Sequence, residues 1–231
     1  MNDEIFGFGW VADTKYWDGV KETRRRLQRV PLRKLIFIDQ SRINLNPGER
    51  RGLAPRGKLA VVSGYKPKNW EPRVDMMGAL NGKELIAIET KTPEQRRAAG
   101  VRGWNKPSVL SFIRKRVAKF VRDNEISGAV VVIDKALRIS VAEVKAAMTQ
   151  GRAEDVGQPV IMPPATAKFI SPLDNTLWHQ LKDKIRAHSS RTANGWAQVI
   201  RNEWRAITPE QIHNYYEHCA LTARSPLDKG R

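Results

Sequence analysis

This chain is poor in the residues that build redox and zinc chemistry. It has one cysteine, Cys219, and four scattered histidines, His179, His188, His213 and His218. A single thiol excludes an internal disulfide and any cysteine zinc finger, and the histidines lack ligand spacing. Cys219 reads as a buried helix residue, not a nucleophile. No apolar run approaches the length of a membrane span, and the N-terminus shows no secretory pattern. The expectation is a soluble intracellular protein, nuclear in a eukaryote and otherwise in cytoplasm or nucleoid. Internal repeats and low-complexity tracts are absent as well. Acidic residues are scarce: 24 Asp+Glu stand against 41 Lys+Arg, for a formal net charge of +17. That excess points to a polyanion, because each phosphate met by a lysine or arginine releases condensed counterions. A ribosome-like or membrane-surface protein can be equally basic. Hydrophobic residues at 41% and seven tryptophans argue against disorder.

What is present divides along the chain. Residues 1–32 read as a basic helical lead-in, with Trp17, Val20, Arg24 and Leu27 on one helical face. Residues 33–190 read as the main α/β domain, and 191–231 as a helical extension packed on it. Apolar, β-branched runs predict strands at 35–39, 59–62, 74–80, 85–89, 130–134 and 160–162. Asn81-Gly82 predicts a two-residue hairpin. A long helix is expected from Pro107-Ser108 through Val121. Ser140 to Glu143 forms a capping box for a shorter helix. Further helices carry Leu177, Trp178, Leu181 and Ile185, then Trp196, Val199, Ile200 and Trp204, then a last one capped by Thr208. One mixed sheet flanked by helices fits this order.

Three aspartates stand where divalent-metal chemistry needs them. Asp39 closes the run Leu35-Ile36-Phe37-Ile38, Asp134 closes Val130-Val131-Val132-Ile133, and Asp174 stands at the mouth of a helix in Ser171-Pro172-Leu173-Asp174-Asn175. A carboxylate at the end of an apolar strand sits at the rim of a sheet. Three rims brought together make an oxygen cage for Mg²⁺ or Mn²⁺. Phosphodiester chemistry with two ions, about 3.5–4 Å apart, needs such convergence from separate elements. Each acid also has a plainer reading: Asp39 and Asp134 as structural strand ends, Asp174 as a helix N-cap. Asp75 and Glu89 are rival metal ligands.

In these residues the chain resembles the catalytic domain of mariner-type DDE/D transposases, which have an RNase H-like fold. The resemblance covers roughly residues 33 to 224. It rests on Phe37-Ile38-Asp39-Gln40-Ser41, on Pro55-Arg56-Gly57, on Ile133-Asp134, and on Pro163-Pro164 followed by Ser171-Pro172-Leu173-Asp174. Trp178 and Lys182 then recur on the helix. Asp134-Lys135-Ala136 stands where the family commonly has Asp-Asn-Ala, and Gln40 where it often has Glu. The resemblance implies that Asp39, Asp134 and Asp174 bind two Mg²⁺ or Mn²⁺ ions. It implies cleavage of DNA at transposon ends and strand transfer of the freed 3′ hydroxyl to target DNA by a homodimer. Family members carry helix-turn-helix domains before the catalytic domain, and residues 1–32 leave no room for them. Sequence-specific reading is therefore expected from a missing segment, from a partner, or not at all.

The basic residues supply candidate phosphate contacts: Arg50, Arg51, Arg56, Lys58, Lys66 and Lys68 after the first strand, Arg114 and Lys115 on the long helix, and Lys135 beside the second acid. Trp70 and Trp104, in Gly/Pro/Lys-rich loops, either stack on bases or pack against the domain. Two other functions fit the same sequence. One is a catalytically idle nucleic-acid-binding descendant, with RNA in a ribonucleoprotein as its partner. The other is a structure-selective nuclease.

Overall fold

The computed structural model of the chain describes residues 14–44, 56–57, 73–163, 166–188 and 192–222. Among these, five strands form one sheet in the order β3-β2-β1-β4-β5. They are β1 (Leu35–Asn44), β2 (Arg73–Leu80), β3 (Leu85–Lys91), β4 (Val130–Asp134) and β5 (Val160–Met162). The first three pair antiparallel; β4 and β5 run parallel to β1. The sheet is thus mixed, as expected for an RNase H-like α/β fold. The expected strand at 59–62 lies outside the described residues.

The central runs Leu35–Ile38 and Val130–Ile133 lack polar interruption because both faces of the sheet are covered there. Side chains alternate between the faces. Leu35, Phe37, Met76 and Val132 point into one core. There they meet α1 (Thr14–Gln28), α6 (Ala167–Ile170), α7 (Trp178–Arg186), α8 (Ala193–Arg205) and α9 (Pro209–His218), while α2 (Pro93–Ala98) follows β3. Ile36, Ile38, Met77, Val131 and Ile133 point the other way. They meet α3 (Lys106–Phe112), the π turn Ile113–Val117, α4 (Ala118–Asp123) and α5 (Val141–Gln150). Each large aliphatic side chain buried this way contributes roughly 1.5–3 kcal/mol. The polar phenol of Tyr216, fully buried from α9, donates to the Leu35 carbonyl at 3.0 Å. Cys219 is buried, as expected, and burial pushes its thiol up to about 12.

Sequence signals set most boundaries. Thr92, Ser140 and Thr208 each form a full capping box, and Asn105 caps α3. The β2–β3 connection departs from expectation. Four residues join the strands, not two, because Asn81 organises the turn by accepting from the Lys83 and Glu84 amides, both at 2.9 Å. Gly82 serves a close approach instead: a Cβ there would lie 2.5 Å from that of Leu32. Among the described residues, no helix is long and apolar enough to cross a membrane.

Candidate active site

Register brings the first two acids together. In the parallel ladder Leu35 pairs with Val130 and Ile38 with Ile133. One step further, Asp39 falls beside Asp134. Both are at the C-terminal edge of the parallel strands, the usual ligand-binding edge of open α/β sheets. Their parity matches Phe37 and Val132, so both carboxyls face the α7 side. Beyond this point β4 ends, while β1 continues to Asn44 against β2.

The third acid arrives from a helix entrance unlike the one expected. Asp174 is not the N-cap. Ser171 takes that role: its hydroxyl accepts from the Asp174 amide at 3.4 Å, and its carbonyl from the Asn175 amide at 2.9 Å. Asp174 lies inside a π turn, Leu173–Leu177, that runs directly into α7. Such single π turns are frequent at functional sites. The side chain is thereby free of local capping and exposed.

Electrostatics register the convergence. Asp39 is only 9% exposed, and burial pushes its carboxyl up to about 7. The Asp174 and Asp134 charges push the same way, while the Trp178 and Gln40 N–H groups oppose it. Partial shielding and the Asp134 charge also raise Asp174, with Lys182 opposing. Among the described residues none of the three acids forms an ion pair within 4.0 Å. Equally, no three acidic, histidine or cysteine side chains among them stand close enough to form a ready-made metal cage.

Each strand acid has one oxygen engaged. Trp178 Nε1 donates to Asp39 Oδ2 at 2.8 Å, and the Ala136 amide donates to Asp134 Oδ1 at 3.1 Å. The rival acids are committed elsewhere. Asp75, 5% exposed, is gripped by Arg73 and Arg96, each at 2.9 Å; Glu89 pairs with Arg116 at 2.6 Å. Asp75 is thus held in a buried structural ion pair and Glu89 in a partly exposed one.

A cleft of about 500 Å³ is lined by Gln40, Arg42, Arg73, Asp75, Arg102, Trp104 and Lys182 among others; none of the three acids lines it, and Lys182 is the residue it shares with their surroundings. The basic candidates divide around it. Arg56 is exposed in a turn, while Arg50, Arg51, Lys58, Lys66, Lys68 and Trp70 lie outside the described residues. Arg114 and Lys115 are exposed on a helix covering the opposite sheet face. Lys135 is exposed in the 3-10 turn after β4. The cation that acts on Asp39 and Asp174 is Lys182, half-buried, its own ammonium disfavoured by burial and by Arg186. Sequence reasoning noted Lys182 but did not place it at the site. Its spacing of eight residues from Asp174, two helical turns, was the available signal. Trp104 packs: the Lys91 ammonium lies 4.3 Å from its ring centre, and Phe112 meets it edge-on at 6.4 Å.

No family model matches this sequence, and no curated protein matches it. Solved structures do. The Mos1 mariner paired end complex with Mn aligns with a TM-score of 0.66 at 12% identity, covering 88% of this chain and 58% of that one. The corresponding complex with Mg gives the same values. The catalytic domain of Mos1 mariner transposase alone aligns with a TM-score of 0.57 at 10% identity, covering 90% of this chain and 88% of that one. The chain therefore spans under two thirds of the longer Mos1 chains and most of the isolated domain. At these identities the likeness establishes architecture, and that architecture is the RNase H-like fold of a mariner transposase catalytic domain.

Proposed function

We propose that this protein performs divalent-metal-dependent phosphodiester chemistry on DNA, cleaving strands and joining a freed 3′ hydroxyl to a target. One observation carries the reading. Three carboxylates from β1, β4 and the entrance to α7 act on one another electrostatically, without ion pairs among the described residues, and Lys182, coupled to two of them, lines a cationic cleft.

The donor set fits a hard cation: all ligands are carboxylate oxygens, and they carry excess negative charge that a cation would neutralise. Asp39 Oδ1, Asp134 Oδ2 and the Asp174 carboxylate are the oxygens we assign to Mg²⁺ or Mn²⁺. Two ions bound there would activate the attacking oxygen and stabilise the leaving one. The rest falls to the chain itself. Burial of Asp39 keeps water away and strengthens every charge interaction around it. Lys182 is placed to meet a phosphate oxygen entering beside Asp174. Arg42 and Arg102, both exposed on the cleft wall, are suited to hold the backbone on either side. The solved Mos1 complexes include a strand transfer complex, which supports DNA as the polyanion.

The test is cleavage of duplex DNA with Mg²⁺ or Mn²⁺ by the wild type and by Asp39→Ala, Asp134→Ala and Asp174→Ala. Each substitution should abolish cleavage and leave DNA affinity intact. Activity surviving any one of them removes that residue from the site. Joining in addition to nicking separates a transposase from a structure-selective nuclease. Light scattering of the DNA-bound protein tests the homodimer that the mariner-like reading carries with it. A second reading, nucleic-acid binding without cleavage and extending to RNA, is favoured by the lack of a ready-made cage among the described residues. Tight binding with no cleavage under either metal would select it.

A further inference from the structure

We propose that Trp178 is a positioning residue for Asp39. Its indole N–H occupies one carboxylate oxygen and fixes the other as a single-oxygen metal ligand. The inference rests on the metal-dependent reading above and concerns how that site is held.

Three features converge on it. The hydrogen bond from Trp178 Nε1 to Asp39 Oδ2 is short, 2.8 Å, and buried. An indole has one donor and no acceptor, so the contact can be made in only one sense. Second, the sheet is shaped to admit the ring. Gly78 lies directly across the antiparallel ladder from Asp39, on the same face. A Cβ at Gly78 would come within 2.8 Å of the ring edges of both Trp178 and Trp204. The absent side chain is therefore the slot in which the indoles lie. Third, Trp204 braces the donor, with ring centres 5.8 Å apart and planes inclined by 33°. Both tryptophans are nearly inaccessible to solvent.

The consequence is chemical. A carboxylate with two free oxygens can rotate, chelate one ion with both, or turn away from its neighbours. With Oδ2 held from within the core, the carboxyl is restrained from rotating and Oδ1 is left as the oxygen without a side-chain donor. Hydrogen-bonded partners that orient metal ligands in this way typically govern metal affinity 10- to 100-fold.

The experiment compares the wild type, Trp178→Phe and Trp204→Phe. The last removes a similar ring from the same core but breaks no bond to Asp39. Free Mn²⁺ is followed by electron paramagnetic resonance during titration of each protein, and the Mg²⁺ half-saturation of cleavage is measured beside it. Trp178→Phe should weaken Mn²⁺ binding roughly 10- to 100-fold and raise the Mg²⁺ requirement in parallel. DNA affinity should be unchanged, and Trp204→Phe, which loosens the brace but keeps the Trp178 donor, should lose clearly less Mn²⁺ affinity than Trp178→Phe. Equal Mn²⁺ affinity in wild type and Trp178→Phe overturns the inference and leaves the proposed function standing. So does an equal loss in both tryptophan variants, which would mark a packing effect. A wild type that binds no Mn²⁺ overturns both together.

Discussion

Replacing Asp39 with asparagine should stabilise the metal-free protein at neutral and alkaline pH. The ordinary aspartate carboxyl titrates near pH 4, and burial carries that of Asp39 up to about 7. Between these values the folded chain retains a proton that the unfolded chain has released. Stability therefore falls as pH rises through the window and levels off above it. Three pH units at about 1.4 kcal/mol each give about 4 kcal/mol as the upper bound. Asp39→Asn removes the ionisation and keeps an oxygen for the Trp178 N–H. Urea unfolding in a chelator, followed by tryptophan fluorescence, should show the variant matching the wild type near pH 4. Its advantage should grow to as much as about 4 kcal/mol by about pH 8. Excess Mg²⁺ should narrow the gap, because only the wild type gains a ligand for it. A difference that does not change with pH, or a wild type more stable at high pH, would refute the reasoning.

Other outcomes follow from the same geometry. Gly78→Ala forces a methyl against two tryptophan rings and should destabilise by about 1–3 kcal/mol in urea melts; no loss would mean the slot is loose. Asp75→Ala strands Arg73 and Arg96 and should cost about 3 kcal/mol. The Mg²⁺ dependence of cleavage should not change, since Asp75 is a structural partner and not a metal ligand. Lys182→Met should weaken DNA binding and flatten the dependence of log affinity on log salt by roughly one phosphate's worth. An unaltered slope would take Lys182 off the DNA path.

The sheet was legible because its strands obey simple rules. Leu35–Ile38 and Val130–Ile133 are unbroken apolar runs, and an acid closes each. Those acids were therefore found without knowing that the strands are neighbours; the parallel register of β1 and β4 supplied that. Less legible was everything that depends on distant contact. Nothing local distinguishes Asp75 from Asp39, since both follow apolar neighbours. Only the fold delivers Arg96 to one and Trp178 to the other. The plainer reading of Asp174, a cap, arose because it precedes a helix, but Ser171 three residues earlier competes for that role and wins. Lys135 was a candidate phosphate contact because it adjoins Asp134 in sequence. It stands exposed in the 3-10 turn, and only the fold reveals that Lys182, two helical turns past Asp174, acts on Asp39 and Asp174. Asn81-Gly82 signalled a turn correctly but not its length, because the glycine answers to Leu32 and not to a positive φ.

The central claim is that Asp39, Asp134 and Asp174 together hold divalent cations for chemistry on a phosphate backbone. Anomalous scattering from Mn²⁺-soaked crystals of the DNA complex tests it most directly. The account predicts two peaks about 3.5–4 Å apart, bounded by those three carboxylates, with Asp39 contributing Oδ1 alone. Density confined to other acids, or none at the three aspartates under saturating Mn²⁺, would contradict it.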